Sequence, residues 1–557
     1  AAMANQKLTG LIRKNCPDCT TAPFLFPYAK SRLYDKFENG KNAGGRIEQI
    51  YLFGAVAILI LVMACINFTN LSTARATSRS REVGVRKSIG AQKNSIVIQF
   101  LSESMLLSII GLGLAMVVVQ LLLPFFNEVT NKAIRLDLDN PVLILGTLGI
   151  TALCGLLAGT YPAFVLSRFN PVKVLKGDTH LGLTGNTLRK SLAIVQFASS
   201  IILVAGSLAM YKQITFISEK HLGFEKENVI VVDQNEGLLK SYPAIKNDLH
   251  RLASVAGVAF GGNNIFTIPI TTTDPVWRGK PDNSSIQFKI YRCDAEFIPT
   301  LNIQMLTGRN FNDSHDASNY IINRKAAEVM GLPLDNAVGT ALEMWNGKGK
   351  IIGITEDFHN DNLKFGIEPL IFMYSENVGS HYFIRLSGET PISESIRQVE
   401  QIFRKHNPEY PFEFAFLDDV FNREYQTEAV IGKLSLSFTV IAVLISCLGL
   451  FGLASFNAER RTKELGIRKV MGASVANLIL MLCGDFATLV AISLFIGFPI
   501  SWYLTRKFLS GYAYHVDISW GIFLSTAIAM LFVVVLSVGY QSARAALSNP
   551  VDALRSE

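Results

Sequence analysis

The sequence predicts an α-helical polytopic membrane protein with one mixed α/β domain outside the cytoplasm. Its apolar residues collect in blocks long enough to cross a bilayer, which takes about 20 residues. Only 17% of the 557 residues are charged, whereas an average soluble protein has roughly 25%. Between two groups of apolar blocks lies a polar stretch of about 200 residues, which is long enough for a folded domain.

Seven blocks have the length and composition of membrane-spanning helices. The Gly, Ser and Thr residues scattered within them suit close helix packing in lipid. An odd number of spans places the two termini on opposite sides of the membrane. The predicted spans are residues 50–70, 99–126, 141–167, 190–211, 435–456, 477–504 and 519–541.

Basic residues in the connecting segments predict the orientation of the spans. The positive-inside rule assigns the segments rich in Lys and Arg to the cytoplasm. The short segments 127–140 and 505–518 hold only two basic residues each, so they are predicted to lie outside, together with residues 1–48 and 212–430. The segments assigned to the cytoplasm are 71–98, 168–189, 457–476 and 542–557.

The chain contains an internal repeat. Residues 82–91 read EVGVRKSIGA and residues 464–473 read ELGIRKVMGA, and three further pairs within them are apolar in both copies. An even number of spans separates the copies, so the repeat is parallel. Asn-Pro-Val also recurs, at 170–172 and 549–551. The identical pairs are Glu82/Glu464, Gly84/Gly466, Arg86/Arg468, Lys87/Lys469, Gly90/Gly472 and Ala91/Ala473.

One repeat unit is predicted to comprise a helix, a large outer domain and three further helices. The second unit is complete, whereas the first lacks its opening helix and most of its domain. Residues 23–26 (PFLF) resemble residues 411–414 (PFEF), so residues 1–48 are expected to be the remnant of a first outer domain. The first unit is therefore expected to be N-terminally incomplete, and the alternative is a natural seven-helix form.

The polar stretch at 212–430 has the pattern of a mixed α/β domain. Short apolar runs separated by Gly, Pro, Asn and Asp predict strands. Both borders, residues 192–221 and 418–435, read as continuous helices, which favours a stalk over a hinge followed by a separate membrane helix. The predicted strands are 228–233, 287–291, 350–355 and 381–386, and the predicted helices are 240–252 and 392–405.

The repeated motif E-[VL]-G-[VI]-R-K-x-x-G-A either sets topology alone or binds a partner. Topology needs no particular glycine, and acids contribute little to it, yet both copies keep two glycines and the glutamate. A short amphipathic element with a fixed charge pattern suits docking into a groove of a cytoplasmic partner. Two copies would suit a symmetric partner dimer.

Other polar residues have plainer interpretations. Glu103 and Asp485, at matching positions in the helix after each motif, could relay protons, but a pairing with a nearby Arg or Lys is the preferred prediction. His359 has no second histidine at ligand spacing and is expected in a surface turn. Cys16 and Cys19 form either a local disulfide or two idle thiols.

Several function classes are excluded by the printed sequence. The net charge of +7 comes without a long Lys/Arg run, so no nucleic-acid partner is expected. The sequence has no G-x-x-x-x-G-K-[ST] phosphate loop, no G-x-S-x-G and no H-E-x-x-H. No catalytic residue, cofactor or metal site is therefore predicted.

With these motifs the chain resembles FtsX/MacB-type ABC transporter permeases. The resemblance rests on the repeated loop motif and on the N-P-V-x-x-L-[KR] segments, and residues 212–430 are similar to the MacB-like periplasmic core domain. The stretches that carry the latter similarity are Leu222-Gly223-Phe224, Gly308-Arg309-Asn310-Phe311, Tyr320-Ile321-Ile322-Asn323, Ile352-Gly353-Ile354 and Asp357-Phe358-His359.

The resemblance implies a permease of the bacterial inner membrane that works with a dimeric ATP-binding subunit. That subunit would bind the ATP, and its closure would drive work in the periplasm, such as export of peptides or antibiotics or release of lipoproteins. A periplasmic adaptor or an outer-membrane partner is possible. The alternative is a regulatory protein that activates a periplasmic hydrolase or a sensor. The implied coupling residues are Glu82, Gly84, Arg86, Lys87, Gly90, Glu464, Gly466, Arg468, Lys469 and Gly472.

The predicted domain organisation follows from the repeat and the resemblance. It comprises a periplasmic remnant (1–48), a first FtsX-like three-helix unit (49–167), a cytoplasmic linker (168–189), a transmembrane helix (190–211), a MacB-like periplasmic core domain (212–430) and a second FtsX-like unit with a cytoplasmic tail (431–557).

Overall fold

A computed structural model describes residues 2–15, 23–38, 40–78, 80–167, 183–281, 284, 286–345, 347–360, 363–375 and 380–547. The chain divides into two compact units. The helical unit comprises residues 1–207, 434–502 and 519–557, and the outer unit comprises residues 208–433 and 503–518. Cys16, Cys19 and both Asn-Pro-Val segments lie outside the described residues.

Within the described part of the chain, seven helices are long and apolar enough to cross a membrane, as predicted. They are α3 (Ile47–Ser78), α5 (Lys93–Thr130), α6 (Pro141–Ser167), α7 (Leu183–Glu219), α15 (Gln426–Arg460), α17 (Val475–Leu509) and α18 (Trp520–Leu547). Shorter elements precede them: α1 (Ala2–Asn15), α2 (Tyr28–Ser31) and a hairpin of β1 (Lys36–Glu38) and β2 (Lys41–Gly44).

Helix α7 lies in the interior of the helical unit. Phe197, Ile201 and Ala205 follow one another at four-residue spacing on α7, and all three are buried. Four-residue spacing places side chains on one face of a helix. The Ser493 hydroxyl of α17 donates to the Ile194 carbonyl of α7 at 3.1 Å. This helix is therefore held by both packing and a hydrogen bond between helices.

The outer unit is built on a mixed twelve-stranded sheet, which confirms the predicted α/β class. The strands are β3 (Val229–Asp233), β4 (Val255–Gly261), β5 (Thr271–Thr272), β6 (Val276–Trp277), β7 (Phe288–Cys293), β8 (Met305–Gly308), β9 (Tyr320–Asn323), β10 (Ala341–Met344), β11 (Gly347–Thr355), β12 (Leu370–Tyr374), β13 (His381–Leu386) and β14 (Ala415–Phe416). Ten of them follow the order β14-β3-β13-β4-β7-β12-β9-β11-β10-β6, and β5 and β8 pair with β7 and β11. Strand β12 is parallel to β7 and antiparallel to β9.

Helices cover the sheet because its central strands are apolar on both faces. On β3, Val229 and Val231 join one core cluster, whereas Ile230 and Val232 join another. Alternate residues of a strand point to opposite faces, so β3 is buried on both sides. The helices are α8 (Glu236–Lys240), α9 (Tyr242–His250), α10 (Phe297–Thr300), α11 (Arg324–Met330), α12 (Leu334–Ala337), α13 (Ile392–His406) and α14 (Leu417–Glu424).

The two border segments have different outcomes. The first was predicted as one continuous helix, and α7 is indeed unbroken for 37 residues, ending at Glu219. At 1.5 Å per residue it is about 55 Å long, more than the roughly 30 Å of a hydrocarbon core. The second border is not one helix, because Tyr425 separates α14 from α15 with ψ near 8°. Its hydroxyl accepts the backbone N–H of Leu363 at 2.7 Å, which fastens this residue to the outer unit.

Candidate functional site

The two repeated motifs fold into the same short helix. Helix α4 (Ser80–Ser88) carries the first copy and α16 (Thr462–Val470) the second. Glu82 and Arg86 pair at 2.7 Å, and Glu464 and Arg468 pair at 2.8 Å, both one helical turn apart. Such exposed pairs contribute about 0.3–0.5 kcal/mol. They therefore set the charge pattern of the surface more than the stability of the helix.

A glycine ends each motif helix. Gly90 has φ of 101° and Gly472 has φ of 92°, a region that residues with a side chain rarely adopt. In each copy the N–H of the following alanine donates to the carbonyl of the motif arginine at 2.9 Å. This bond and that of the glycine N–H to the motif lysine form a Schellman cap. The need for a left-handed residue explains why both copies keep this glycine.

The inner face of each motif helix is apolar. Val83 and Leu465, at matching positions, are both 3% exposed. Leu465 packs with Leu478 and Leu482 of α17, and Gly84 is buried on α4. Leu465 therefore holds α16 against the beginning of α17, and the buried Val83 and Gly84 mark the matching inner face of α4.

The outward face of each motif helix carries exposed apolar side chains that the sequence did not single out. Val85 and Ile89 are 46% and 81% exposed, and their counterparts Ile467 and Met471 are 54% and 82% exposed. They lie beside the exposed charges of the motif. The apolar pairs shared by the two copies were the only signal for them in the sequence. Each copy thus presents the same apolar and charged surface.

The motif lysines are half-buried, whereas the motif arginines are exposed. Burial lowers the pKa of Lys87, and the nearby charge of Lys93 lowers it further. Lys469 is half-buried at the matching position. The structure therefore brings all ten predicted coupling residues onto two equivalent helices and their caps, and their role in coupling stays a prediction.

The acids after each motif lie in polar networks. Asp485 pairs with Arg461 at 2.9 Å, which confirms the predicted pairing. In the first copy, Arg86 donates to Gln99 at 2.5 Å, and the Gln99 amide donates to Glu103 at 3.2 Å. These contacts tie each motif region to the start of the next helix.

A second set of predicted residues meets in the outer unit. The stretches 222–224 and 357–359 pack on each other, since the His359 N–H donates to the Leu222 carbonyl at 2.8 Å. A Cβ on Gly223, which has φ of 85°, would lie 2.8 Å from the Cα of Phe358. The two stretches are therefore close-packed backbone, and Gly223 is fixed by both its φ and its neighbour.

The predicted surface turn at His359 is wrong, because this side chain is 7% exposed. Its ring lies edge-on to Tyr514 with 4.7 Å between centroids. Burial lowers the pKa of His359 to about 4, and the charge of Lys220 adds to the effect. Among the described residues no group of His, Cys, Asp and Glu has the arrangement of a metal site.

The segment 510–518, between α17 and α18, belongs to the outer unit and is held within it by hydrogen bonds. The buried Gln213 side chain of α7 donates to the Tyr514 carbonyl and accepts the Val516 N–H, both at 2.9 Å. The Ala513 N–H also donates to the Lys364 carbonyl at 2.9 Å. A glutamine within an apolar helix was the only sequence signal for this contact.

In a comparison with known proteins, two stretches of the chain match the same family model. Residues 54–171 and 436–550 both match the family model described as FtsX-like permease C-terminal. A macrolide export ATP-binding/permease protein MacB of Bdellovibrio bacteriovorus is 33% identical over 127 residues, which are 22% of this chain and 19% of the relative. A pyoverdine export ATP-binding/permease protein PvdT of Pseudomonas entomophila is 31% identical over 127 residues, 23% of this chain and 19% of that protein. The chain thus spans about a fifth of the length of these relatives.

Among solved structures, the periplasmic region of MacB from Actinobacillus actinomycetemcomitans matches 37% of this chain and 96% of its own, with 12% identity and a TM-score of 0.27. A domain of a putative permease from Porphyromonas gingivalis matches 34% of this chain and 90% of its own, with 16% identity and a TM-score of 0.25.

Proposed function

We propose that this chain, in which residues 54–171 and 436–550 match the FtsX-like permease model, is the membrane subunit of an ABC transporter that transmits ATP-driven changes to a periplasmic domain. The chain is a multi-pass protein of the bacterial inner membrane, and its large domain lies in the periplasm. In this proposal a cytoplasmic ATP-binding subunit supplies the ATP-driven change.

The observation that supports this function best is the pair of equivalent cytoplasmic surfaces on α4 and α16. Each presents two exposed apolar side chains beside one acid and one arginine. Exposed apolar side chains rimmed by charges are typical of protein-binding surfaces. Two equal surfaces in one chain match the two equal grooves that a dimeric ATP-binding subunit offers.

The continuity of the helices supports the proposed transmission. Each motif helix is followed by a membrane helix, and α7 runs unbroken from Leu183 to Glu219. A continuous helix carries a displacement along its axis better than a jointed one. In the proposed mechanism, movement imposed on the cytoplasmic side is passed along the membrane helices to the periplasmic domain, where the work is done.

The substrate class is proposed from the relatives. Their names assign them to the export of macrolides and pyoverdine. We extend export to this chain, with peptides or antibiotics as cargo or with release of lipoproteins as the work. A periplasmic adaptor or an outer-membrane partner would complete such a pathway.

Co-purification tests the proposal. The chain is purified in detergent from its host, and bound proteins are identified by mass spectrometry. We expect an ATP-binding subunit with the wild type and its loss in Ile89→Asp/Met471→Asp and in Arg86→Glu/Arg468→Glu. The control is Ile134→Asp, a partly exposed apolar residue of the opposite loop, which should keep the subunit. Retention of the subunit by both double variants would contradict the proposal.

A further inference from the structure

Two cavities lie at the β14 edge of the sheet in the outer unit. Their volumes are about 620 Å³ and about 290 Å³. Asp233, at the end of β3, lines both cavities, and so do Phe412 and Glu413, which precede β14. The cavities therefore meet at these three residues and form one cleft, which we call the edge cleft. The larger volume lies within the roughly 300–1,000 Å³ of small-molecule sites.

The edge cleft lies where the pairing of two strands stops. Strand β14 pairs with β3 only through Ala415 with Val231 and Phe416 with Ile230, whereas β3 continues to Asp233. The residues before β14 therefore run past the end of β3 without extending the ladder. Two short stretches of chain are left beside each other, and their side chains line the cleft.

Aromatic rings form one wall of the edge cleft. Phe412, Phe414 and Phe416 alternate along the chain and stack in a row, with 5.6 Å and 5.7 Å between successive ring centroids. Phe383 of β13 also lines the larger cavity and is only 1% exposed. Phe414 lines the same cavity and is 37% exposed. The wall thus combines a ring fixed in the core with a ring that is open to a ligand.

Two carboxylates lie where the cavities meet. The side chains of Asp233 and Glu413 are both exposed, so both are charged at neutral pH. The His381 Nε2 lies 3.3 Å from the Asp233 Oδ1. Burial lowers the pKa of His381, although the charge of Asp233 acts in the opposite direction. The ring is therefore neutral at neutral pH, and it leaves the negative charge of Asp233 in place.

The basic residues of the cleft do not cancel its acids. Arg404 lines the smaller cavity, but its guanidinium pairs with Glu400 at 2.7 Å. Among the described residues that line the larger cavity, Arg423 of α14 is the only arginine or lysine, against the two acids. The cleft therefore carries a negative charge beside aromatic faces.

We propose that the edge cleft binds a small organic molecule that carries a basic group on an apolar or aromatic body. A cation is attracted by carboxylates and by the faces of aromatic rings, and both are present at this place. The apolar lining covers the rest of such a molecule. The inference goes beyond the proposed function, because binding to the outer unit requires no ATP-binding subunit and can be measured without one.

Two dyes with the same ring system and opposite charge test the proposal. Rhodamine 6G is a cation and fluorescein is an anion, and both contain a xanthene ring. Fluorescence anisotropy measures their binding to the purified full-length chain in detergent, with protein-free micelles as the blank. We expect saturable binding of rhodamine 6G, with affinity about tenfold higher than that of fluorescein because of the two carboxylates. Equal affinities, or no saturable binding of rhodamine 6G, would overturn the proposal.

Substitutions locate the bound dye. Asp233→Asn/Glu413→Gln should weaken rhodamine 6G binding by about tenfold, and Phe414→Ala by about threefold. Phe414→Tyr keeps the ring and should retain the affinity, whereas Arg423→Gln removes a repelling charge and should raise it. The control is Glu389→Gln, an exposed acid beyond the opposite end of β13. Wild-type affinity in both the acid double variant and Phe414→Ala would place the dye elsewhere and contradict the proposal.

Discussion

At the residue scale, the motif glycines act through the backbone and not through contacts. Both have positive φ and both are followed by the same capping bonds. A Cβ at Gly90 or Gly472 would touch nothing. Replacing either glycine therefore destabilises the motif helix through backbone conformation alone. The side chains of the neighbouring surface are left unchanged by the substitution.

This leads to a prediction for the helix caps. Gly90→Ala and Gly472→Ala should each destabilise their motif helix by about 1 kcal/mol, because alanine disfavours the left-handed region. Binding of the ATP-binding subunit should weaken with the caps. Gly113→Ala is the matched control, since this glycine lies within α5 in open space and alanine favours a helix there. Hydrogen exchange of residues 86–91 and 468–473 measures the effect, and unchanged exchange in both variants would contradict it.

His359 leads to a prediction of pH dependence. Its pKa is lowered from 6.5 to about 4 by burial, so the folded protein holds the neutral ring. Above pH 6.5 the ring is neutral in both the folded and the unfolded state, and the free energy of unfolding does not depend on it. As the pH decreases towards 4, the unfolded chain binds a proton that the folded chain does not, so the free energy of unfolding falls by up to about 3 kcal/mol. Thermal unfolding between these pH values should decline less steeply for His359→Phe than for the wild type. Parallel declines would show that His359 is not the titrating group.

The same residue shows a limit of sequence reasoning. Asp357, Phe358 and His359 lie among turn-forming residues, which predicts exposure. Tyr514, more than 150 residues later in the sequence, covers the histidine ring. Burial by a distant segment leaves no local pattern, so neither this contact nor that of Gln213 could be predicted.

At the element scale, long or fully apolar elements were predictable, and very short ones were not. The seven membrane helices and strand β13 appear where the pattern places them. Strands β5, β6 and β14 have two residues each, which is too short for an alternating pattern. The break at Tyr425 has no Gly or Pro to mark it, and a tertiary hydrogen bond accompanies it.

The segment 510–518 leads to a prediction at this scale. Gln213→Leu should free the Tyr514 carbonyl and the Val516 N–H, which are both bonded to the Gln213 amide. Hydrogen exchange at Val516 should therefore accelerate by about fivefold, as expected for a lost hydrogen bond of roughly 1 kcal/mol. Gln287→Leu is the control, since this glutamine is exposed and its amide donates to the Thr271 hydroxyl, far from Val516 in the sequence. Equal exchange at Val516 in both variants would show that Gln213 does not fasten the segment.

At the scale of the whole molecule, the two repeat copies present like surfaces. The motif helices α4 and α16 share their length, their ion pair and their glycine cap. This likeness suits two equal binding events on the cytoplasmic side. The boundaries of the predicted domains stay predictions.

The most direct test of the central claim is photo-crosslinking from the motif helices in the host cell. A photoreactive amino acid replaces Ile89 or Met471, which are more than 80% exposed, and Ile134 serves as the control position. The account predicts that Ile89 and Met471 both cross-link to the same groove of an ATP-binding subunit and that Ile134 does not. Cross-links to lipid alone, or to different proteins from the two positions, would contradict it.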